Sequence, residues 1–217
     1  MERLPSKTSL TFEPRLESVP SHVTAAIAVL GQKLAGCEGA WLVGGSCGAL
    51  LQGVPLDASP RDLDVYADAG FAAELHGRLA DLATDEQAYS ETGMYGSLLS
   101  HYSIKGLQAE LVGSLTVHKD DAEYTVQVEE LLADYAWAGR ISGVPVKFMP
   151  LAHELLFNVL RDRADRFEPI AGAMREQPEA HLPLLAVMLG RNRIGPAYSE
   201  RIRKLLQLPA DWEVRKP

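Results

Sequence analysis

Residues 42–68, LVGGSCGALLQGVPLDASPRDLDVYAD, constrain the fold more than any other stretch of the chain. An apolar segment, AWLVGG (40–45), ends in two glycines, as a short buried strand followed by a tight turn does. A short helical pattern (SCGALLQG), a turn-rich loop (VPLDASP) and a second strand pattern (DLDVYAD, 62–68) follow. This order predicts an α/β arrangement with a glycine turn at the end of one strand and acidic residues on the next.

The two aspartates of DLDVYAD are separated by one residue. On a strand, Asp62 and Asp64 point to the same face, whereas Leu63 points to the other. Two neighbouring carboxylates repel each other, and a divalent cation such as Mg²⁺ removes that repulsion. The alternative is a solvent-facing strand with two acids that bind nothing. The D-x-D spacing alone does not separate these two interpretations.

The glycine turn carries a second hint. Gly44, Gly45 and Ser46 lie where a strand meets a helix, and free N–H groups at a helix start favour an anion. Glycine lets a phosphate approach the backbone, and the Ser46 hydroxyl adds a donor. The alternative is a plain turn in which Ser46 caps the helix. The turn is not a Walker A loop, because no G-K-[ST] follows. Together with D-x-D, it suits a metal-bound nucleoside triphosphate.

A third carboxylate is expected if phosphoryl chemistry takes place here. Glu110, in LQAELVGS, is the best candidate because it lies in an otherwise apolar strand, where an unpaired acid is costly. The alternative is that its side of the strand is open to water. Asp120 or Asp121 could serve instead, although both lie in a predicted turn.

The rest of the chain predicts a mixed sheet with helices, followed by helices alone. Helical patterns cover 21–35 and 70–83, two paired strands flank Gly106, and VPVKFMP (144–150) is a short strand. GMYGSLL (93–99) favours a hairpin turn, with a mobile loop over the site as the alternative, and 123–139 is ambiguous. Three helical stretches follow near 151–166, 180–193 and 197–208. We therefore divide the chain into a catalytic domain, 1–150, and a C-terminal helical region, 151–217.

Charge and composition narrow the function. The formal net charge of -8 disfavours tight nonspecific binding to long nucleic acid. No apolar run could cross a membrane and no secretory signal is visible, so a cytoplasmic location is expected. The basic stretch RDRADR (161–166) is interpreted as a solvated helix face. His153 and Glu154 do not form the zinc motif, since no second histidine follows four residues later, and His101 is interpreted as structural or solvated.

The combined pattern resembles the head motif of the DNA polymerase beta-like nucleotidyltransferase superfamily. That motif has G-[GS], a short helix, [DE]-x-[DE] and a third acid on a later strand, and the small bacterial stand-alone members are most similar. SIKGLQAELVGSLTVHKDDAEY and ISGVPVKFMPLAHELL are similar to the later sheet and the first C-terminal helix, so the resemblance covers roughly 40–166. It implies an α/β (α+β) nucleotidyltransferase fold, with a mixed β-sheet flanked by helices and a C-terminal helical part.

The resemblance also implies roles for the candidate residues. The Gly44–Ser46 turn would hold the triphosphate of an NTP. Asp62 and Asp64 would bind Mg²⁺, with Mn²⁺ as the alternative metal. Glu110 would help to hold the catalytic metal and take the proton of the acceptor hydroxyl. The activity implied is transfer of a nucleoside monophosphate to that hydroxyl, with release of pyrophosphate.

Two matters stay open at this stage. The acceptor could be a small molecule such as an aminoglycoside, a protein side chain or an RNA 3′ end. Aspartate is commoner than glutamate at the position of Glu110 in the family. The alternative function is therefore a catalytically decayed nucleotide-binding protein or a partner in a toxin–antitoxin pair.

Overall fold

A computed structural model describes residues 10–212 of the chain. Within these residues, nine strands form one mixed sheet: β1 (Leu10–Thr11), β2 (Leu42–Gly44), β3 (Asp62–Ala67), β4 (Ala88–Thr92), β5 (Tyr95–Ile104), β6 (Leu107–Lys119), β7 (Ala122–Thr125), β8 (Trp137–Ile141) and β9 (Val144–Phe148). The strand order is β1-β8-β9-β2-β3-β6-β5-β4, and β7 pairs with the end of β6. Strand β3 runs antiparallel to β2 and parallel to β6, so the sheet is mixed at its centre.

The helices lie on both faces of this sheet. The described residues contain seven: α1 (Ser21–Lys33), α2 (Gly45–Leu51), α3 (Ala69–Arg78), α4 (Leu151–Leu160), α5 (Ala164–Glu176), α6 (Pro178–Arg191) and α7 (Pro196–Leu205). None of them is long and apolar enough to span a lipid bilayer. The predicted fold class, a mixed sheet flanked by helices with a helical C-terminal part, is confirmed.

Alternation along the central strands sorts their side chains into two apolar layers. Leu63 and Val65 of β3 are buried in a cluster that also contains residues of α1 and α3. Tyr66, on the opposite face of β3, belongs to a second cluster with residues of α4 to α7. Asp62 and Asp64 share the face of Tyr66 because they lie four and two residues before it, respectively. The acidic residues of β3 therefore face the C-terminal helices.

The C-terminal part differs from the prediction in its helix count. The single helix predicted near 151–166 is wrong, because α4 ends at Leu160 and Asp162 adopts a left-handed conformation with φ of 60°. Helix α5 then begins at Ala164 and contains Pro169, and most of it lies between the stretches predicted near 151–166 and 180–193. The division of the chain at residue 150 into two domains stays a prediction.

Strand pairing decides the structure of two segments that the sequence left open, residues 123–139 and GMYGSLL (93–99). Residues 123–139 contain the end of β7, a 3-10 turn (Leu132–Asp134) and the start of β8. The GMYGSLL segment (93–99) contains the turn between the antiparallel strands β4 and β5, with Gly93 at a φ of 59°, and the first residues of β5. The favoured hairpin interpretation is confirmed, although β4 itself was not predicted because its residues are mostly exposed and lack an apolar alternation.

Candidate active site

Three acidic side chains lie side by side on two neighbouring strands. The parallel register of β3 and β6 pairs Asp64 with Glu110. Paired residues of adjacent strands point to the same face, so Glu110 joins Asp62 and Asp64 on the face toward the C-terminal helices. All three line one cavity of about 690 Å³. The structure thus brings together the three carboxylates that the sequence singled out.

The carboxylates influence one another electrostatically. Burial raises the pKa of Asp64 to about 8, and the negative charges of Asp62, Glu154 and Glu110 add to that rise. The pKa of Glu110 is also raised, first by burial and then by Asp62. Such mutual repulsion in a partly buried site is relieved by a cation. The donor set, three carboxylates, is the kind that a hard divalent cation prefers.

The same side chains do not form a ready-made metal cage. Among residues 10–212, no group of three or more His, Cys, Asp and Glu side chains is arranged to hold a metal ion. Mg²⁺ usually takes one or two carboxylates, several waters and the phosphates of its substrate rather than a complete protein cage. The residues therefore suit a metal that arrives with a polyphosphate.

The glycine turn lies at the rim of the same cavity. Gly45 and Ser46 line it, whereas Gly44 is buried beneath them against Tyr66. Gly45 has a φ of 61°, in the left-handed region, and its N–H donates a hydrogen bond of 2.7 Å to Glu154 Oε1. That N–H therefore already has an acceptor. The parts of the turn left to face an anion are Ser46 and the surrounding backbone.

Replacing Gly45 with alanine should destabilise the protein by about 2 kcal/mol or more. A Cβ at Gly45 would overlap the carboxylate of Asp64, and the left-handed backbone adds strain. Gly93→Ala is the matched control, because Gly93 has nearly the same φ of 59° and open space where its Cβ would lie. Urea unfolding of both variants measures the difference. Equal losses at the two positions would show that the contact with Asp64 is not tight.

Helix α4 supplies residues that the sequence reasoning missed. Glu154, Asn158 and Arg161 are spaced four and three residues apart, so they share one helix face, and all three line the cavity. Glu154 is only 2% exposed. Its burial raises its pKa to about 7, against the opposing effects of the Gly45 hydrogen bond, Arg161 and Arg166. The sequence does contain a signal for this face: Glu154 is followed at i+4 and i+7 by two further polar residues, Asn158 and Arg161, in an otherwise apolar helix.

The basic stretch RDRADR is not a purely solvated face. Arg161, Arg163 and Arg166 all line the cavity, opposite the carboxylates of the sheet. The Arg161 guanidinium lies 4.7 Å from the centre of the Phe157 ring. Arg163 is paired with Asp165, whereas Nη1 of Arg166 is buried without a hydrogen-bond partner in the described part of the chain. These arginines lie at or next to the break between α4 and α5, which the sequence did not predict.

A histidine lies beside the third carboxylate. His101 on β5 is paired in register with Glu110 on β6, and its Nε2 is 3.9 Å from Glu110 Oε1. The other ring nitrogen of His101 contacts the carboxylate of Asp85. The interpretation of His101 as structural or solvated missed this position, because cross-strand register is not visible in one strand's sequence.

The alternative third acids lie elsewhere. Neither Asp120 nor Asp121 lines the cavity. Asp120 accepts a hydrogen bond of 2.7 Å from the Tyr198 hydroxyl, and Asp121 contacts Gly195. Both belong to the turn between β6 and β7 and to its contact with the start of α7.

Comparison with known proteins yields structural similarity alone. No family model matches the sequence, and no curated protein matches it. The structure is similar to that of TM1012 from Thermotoga maritima, assigned as a nucleotidyltransferase, with a TM-score of 0.58 and 19% sequence identity over 73% of this chain and 96% of that one.

A weaker similarity is found to the antibiotic-resistance factor ANT(2'')-Ia, with a TM-score of 0.49 and 14% identity over 85% of this chain and 95% of that one. The lincosamide antibiotic adenylyltransferase LnuA gives 0.44 and 14%, over 71% and 98%. Neither TM-score reaches 0.5. At its low identity, the similarity to TM1012 bears on the fold: the chain has the fold of the nucleotidyltransferases.

Proposed function

We propose that the protein transfers a nucleoside monophosphate from an NTP to an acceptor hydroxyl and releases pyrophosphate. The observation that carries this proposal is the alignment of Asp62, Asp64 and Glu110 on adjacent strands, in a cavity rimmed by the Gly45–Ser46 turn. Arginines on the opposite wall give the cavity a side that favours phosphates. The nucleotidyltransferase fold supports the same reaction class.

In this proposal, Asp62 and Asp64 hold Mg²⁺, or Mn²⁺ in its place, and Glu110 completes the set. A divalent ion bound there would offset the charge of the triphosphate and of the departing pyrophosphate. The acceptor oxygen forms a bond to the α-phosphorus, and the bond from that phosphorus to the bridging oxygen of pyrophosphate breaks. Glu110 takes the acceptor proton, because its carboxylate lies beside the aspartates in the same cavity.

The other residues bind and orient the nucleotide. Ser46 offers its hydroxyl and its backbone to a phosphate, and the absence of a side chain at Gly45 permits close approach. Arg161, Arg163 and Arg166 present guanidinium groups, which match phosphate geometry.

The charges of the cavity also bear on the acceptor. Of its five acids, three are assigned to the metal, Glu154 is bonded to Gly45, and Asp165 is paired with Arg163. Among the described residues, no lining carboxylate is then left to recognise a cationic group. The β4–β5 hairpin, which also lines the cavity, contributes hydroxyl groups and an aromatic ring from Ser90, Thr92, Ser97 and Tyr95. We therefore expect an acceptor with hydroxyl groups and few positive charges.

Mg²⁺ and an NTP should stabilise the protein together by more than the sum of their separate effects. The reason is that the metal offsets the repulsion among the carboxylates. The triphosphate then links the metal to the arginine wall, which consists of Arg161, Arg163 and Arg166. A melting series with ATP, GTP, CTP and UTP, each with and without Mg²⁺, measures this. AMP with Mg²⁺ is the control, because it lacks the bridging phosphates. Strictly additive shifts for all four nucleotides would count against a shared site.

One observation favours the second candidate, a nucleotide-binding protein without turnover. The third acid is a glutamate, and the three carboxylates do not form a complete cage in the described residues. The two candidates separate by product analysis. Each NTP, labelled at the α-phosphate, is incubated with the protein and a cell extract; a labelled acceptor supports transfer, whereas saturable binding without product supports the decayed site.

A further inference from the structure

The buried carboxylate of Glu154 accepts a hydrogen bond from the glycine turn. Its Oε1 accepts the Gly45 N–H at 2.7 Å, and the residue is 2% exposed. Arg161 and Arg166 are near enough to influence it electrostatically, but neither forms an ion pair with it in the described part of the chain. Burying an acid in an apolar helix is unfavourable unless a specific contact compensates. The neighbouring Leu155 and Leu156 are fully buried, so an apolar side chain would satisfy helix α4 here.

The glycine turn is enclosed on two sides by carboxylates. A Cβ at Gly44 would lie 2.9 Å from Glu154 Oε1, and a Cβ at Gly45 would overlap the carboxylate of Asp64. The turn therefore lies between Glu154 of helix α4 and Asp64 of strand β3. A shift of the turn toward either side would displace Ser46 relative to Asp64.

We infer that Glu154 is a positioning residue for the proposed nucleotidyl transfer. Its side-chain oxygen fixes the Gly45 turn, so that Ser46 and Asp64 face the cavity in a constant relation. This inference rests on the proposed function, since it assigns Glu154 to the same site. The positioning role requires a hydrogen-bond acceptor oxygen at the distance that a glutamate side chain spans, and it does not require a negative charge. Displacements of about an ångström in such sites can reduce activity about 100-fold.

Three substitutions separate reach from charge. Glu154→Gln keeps the length and an acceptor oxygen but is neutral, Glu154→Asp keeps the charge but is one methylene shorter, and Glu154→Ala removes the contact. Hydrogen exchange of the Gly45 amide, followed by NMR on the nucleotide-free protein, reports the contact directly. We expect parental protection in the Gln variant and at least about tenfold faster exchange in the Asp and Ala variants.

Measurements of nucleotide binding and turnover test the functional effect of the Gly45–Glu154 hydrogen bond. We expect Kd values for MgATP, MgGTP, MgCTP and MgUTP in the Gln variant to stay within about threefold of the parent. We expect the Asp variant to bind at least about tenfold more weakly and to lose about 10- to 100-fold in turnover. His153→Phe is the control, because His153 lies on the same helix and its substitution removes a buried hydrogen bond to Tyr124 of β7 while leaving the Glu154–Gly45 hydrogen bond in place. It should lower the melting temperature while leaving nucleotide binding unchanged.

The outcomes distinguish the inference from the proposed function. If the parent binds none of the four magnesium nucleotides, the proposed function fails and the inference fails with it. If the parent binds and the Asp variant binds equally well, or the Gln variant is as impaired as the Ala variant, the inference alone is overturned. Should the Ala variant not fold, the comparison of Gln with Asp still decides, because both keep a polar side chain at this position.

Discussion

Replacing Asp62 or Asp64 with asparagine should reduce nucleotidyl transfer by about 10³-fold or more, while the protein remains folded. A loss of this size corresponds to roughly 4 kcal/mol of transition-state stabilisation. Both side chains face the cavity, and an amide neither carries the charge nor supplies the oxygen pair that a hard cation prefers. Initial rates with saturating magnesium nucleotide, and circular dichroism of each variant, measure the two halves of the prediction.

The control for this prediction is Asp211→Asn. It removes the same charge from an exposed position outside the cavity lining, so its turnover should match the parent. Near-parental turnover in either site variant would remove that residue from the metal-binding set. Loss of fold in both would show that the aspartates are structural.

Asp64→Asn should also raise the stability of the metal-free protein, and the gain should depend on pH. The carboxyl ionises near 3.8 in the unfolded chain but near 8 in the folded protein, because burial and the nearby acids disfavour its charge. The folded state therefore binds more protons, and its stability falls as pH rises between these values. The variant escapes this loss, so its advantage should grow from about pH 4 to pH 8, reaching about 4 kcal/mol at neutral pH. Urea unfolding at several pH values in EDTA measures it, and a constant difference would contradict the argument.

The central site residues could be predicted because their signals are local. Two aspartates alternate on one strand, two glycines end another, and Glu110 is the single acid of an apolar strand. Each of these patterns follows from backbone geometry within a few residues. The structure then placed all three acids on one face, because β3 and β6 are in parallel register.

The contribution of helix α4 could not be predicted, because it depends on contacts between distant parts of the chain. The Gly45 N–H donates a hydrogen bond to Glu154, which lies 109 positions later in the sequence, and no local sequence pattern predicts a contact between residues so far apart. The arginines were misjudged for a related reason. Their spacing fits a solvated helix equally well, and the end of helix α4 at Leu160 is not visible in the local pattern.

Glu110→Gln should remove most turnover, about 10²- to 10⁴-fold, while weakening nucleotide binding much less. The amide cannot take the acceptor proton, whereas Asp62, Asp64 and the arginine wall still hold the magnesium nucleotide. Glu110→Asp should keep part of the activity, since it preserves the charge and shortens the side chain by one methylene. Single-turnover rates together with Kd values, for example by calorimetry, separate chemistry from binding.

The alternative third acids provide the matched controls for Glu110. Asp120→Asn and Asp121→Asn should keep parental turnover, because both residues lie at the β6–β7 turn, outside the cavity. If Glu110→Gln were as active as the parent, Glu110 would be an ordinary strand residue, and a collapse of activity in either turn variant would move the search there. If Glu110→Gln and Glu110→Asp both bound nucleotide normally and the parent itself gave no product, the site would bind without turnover.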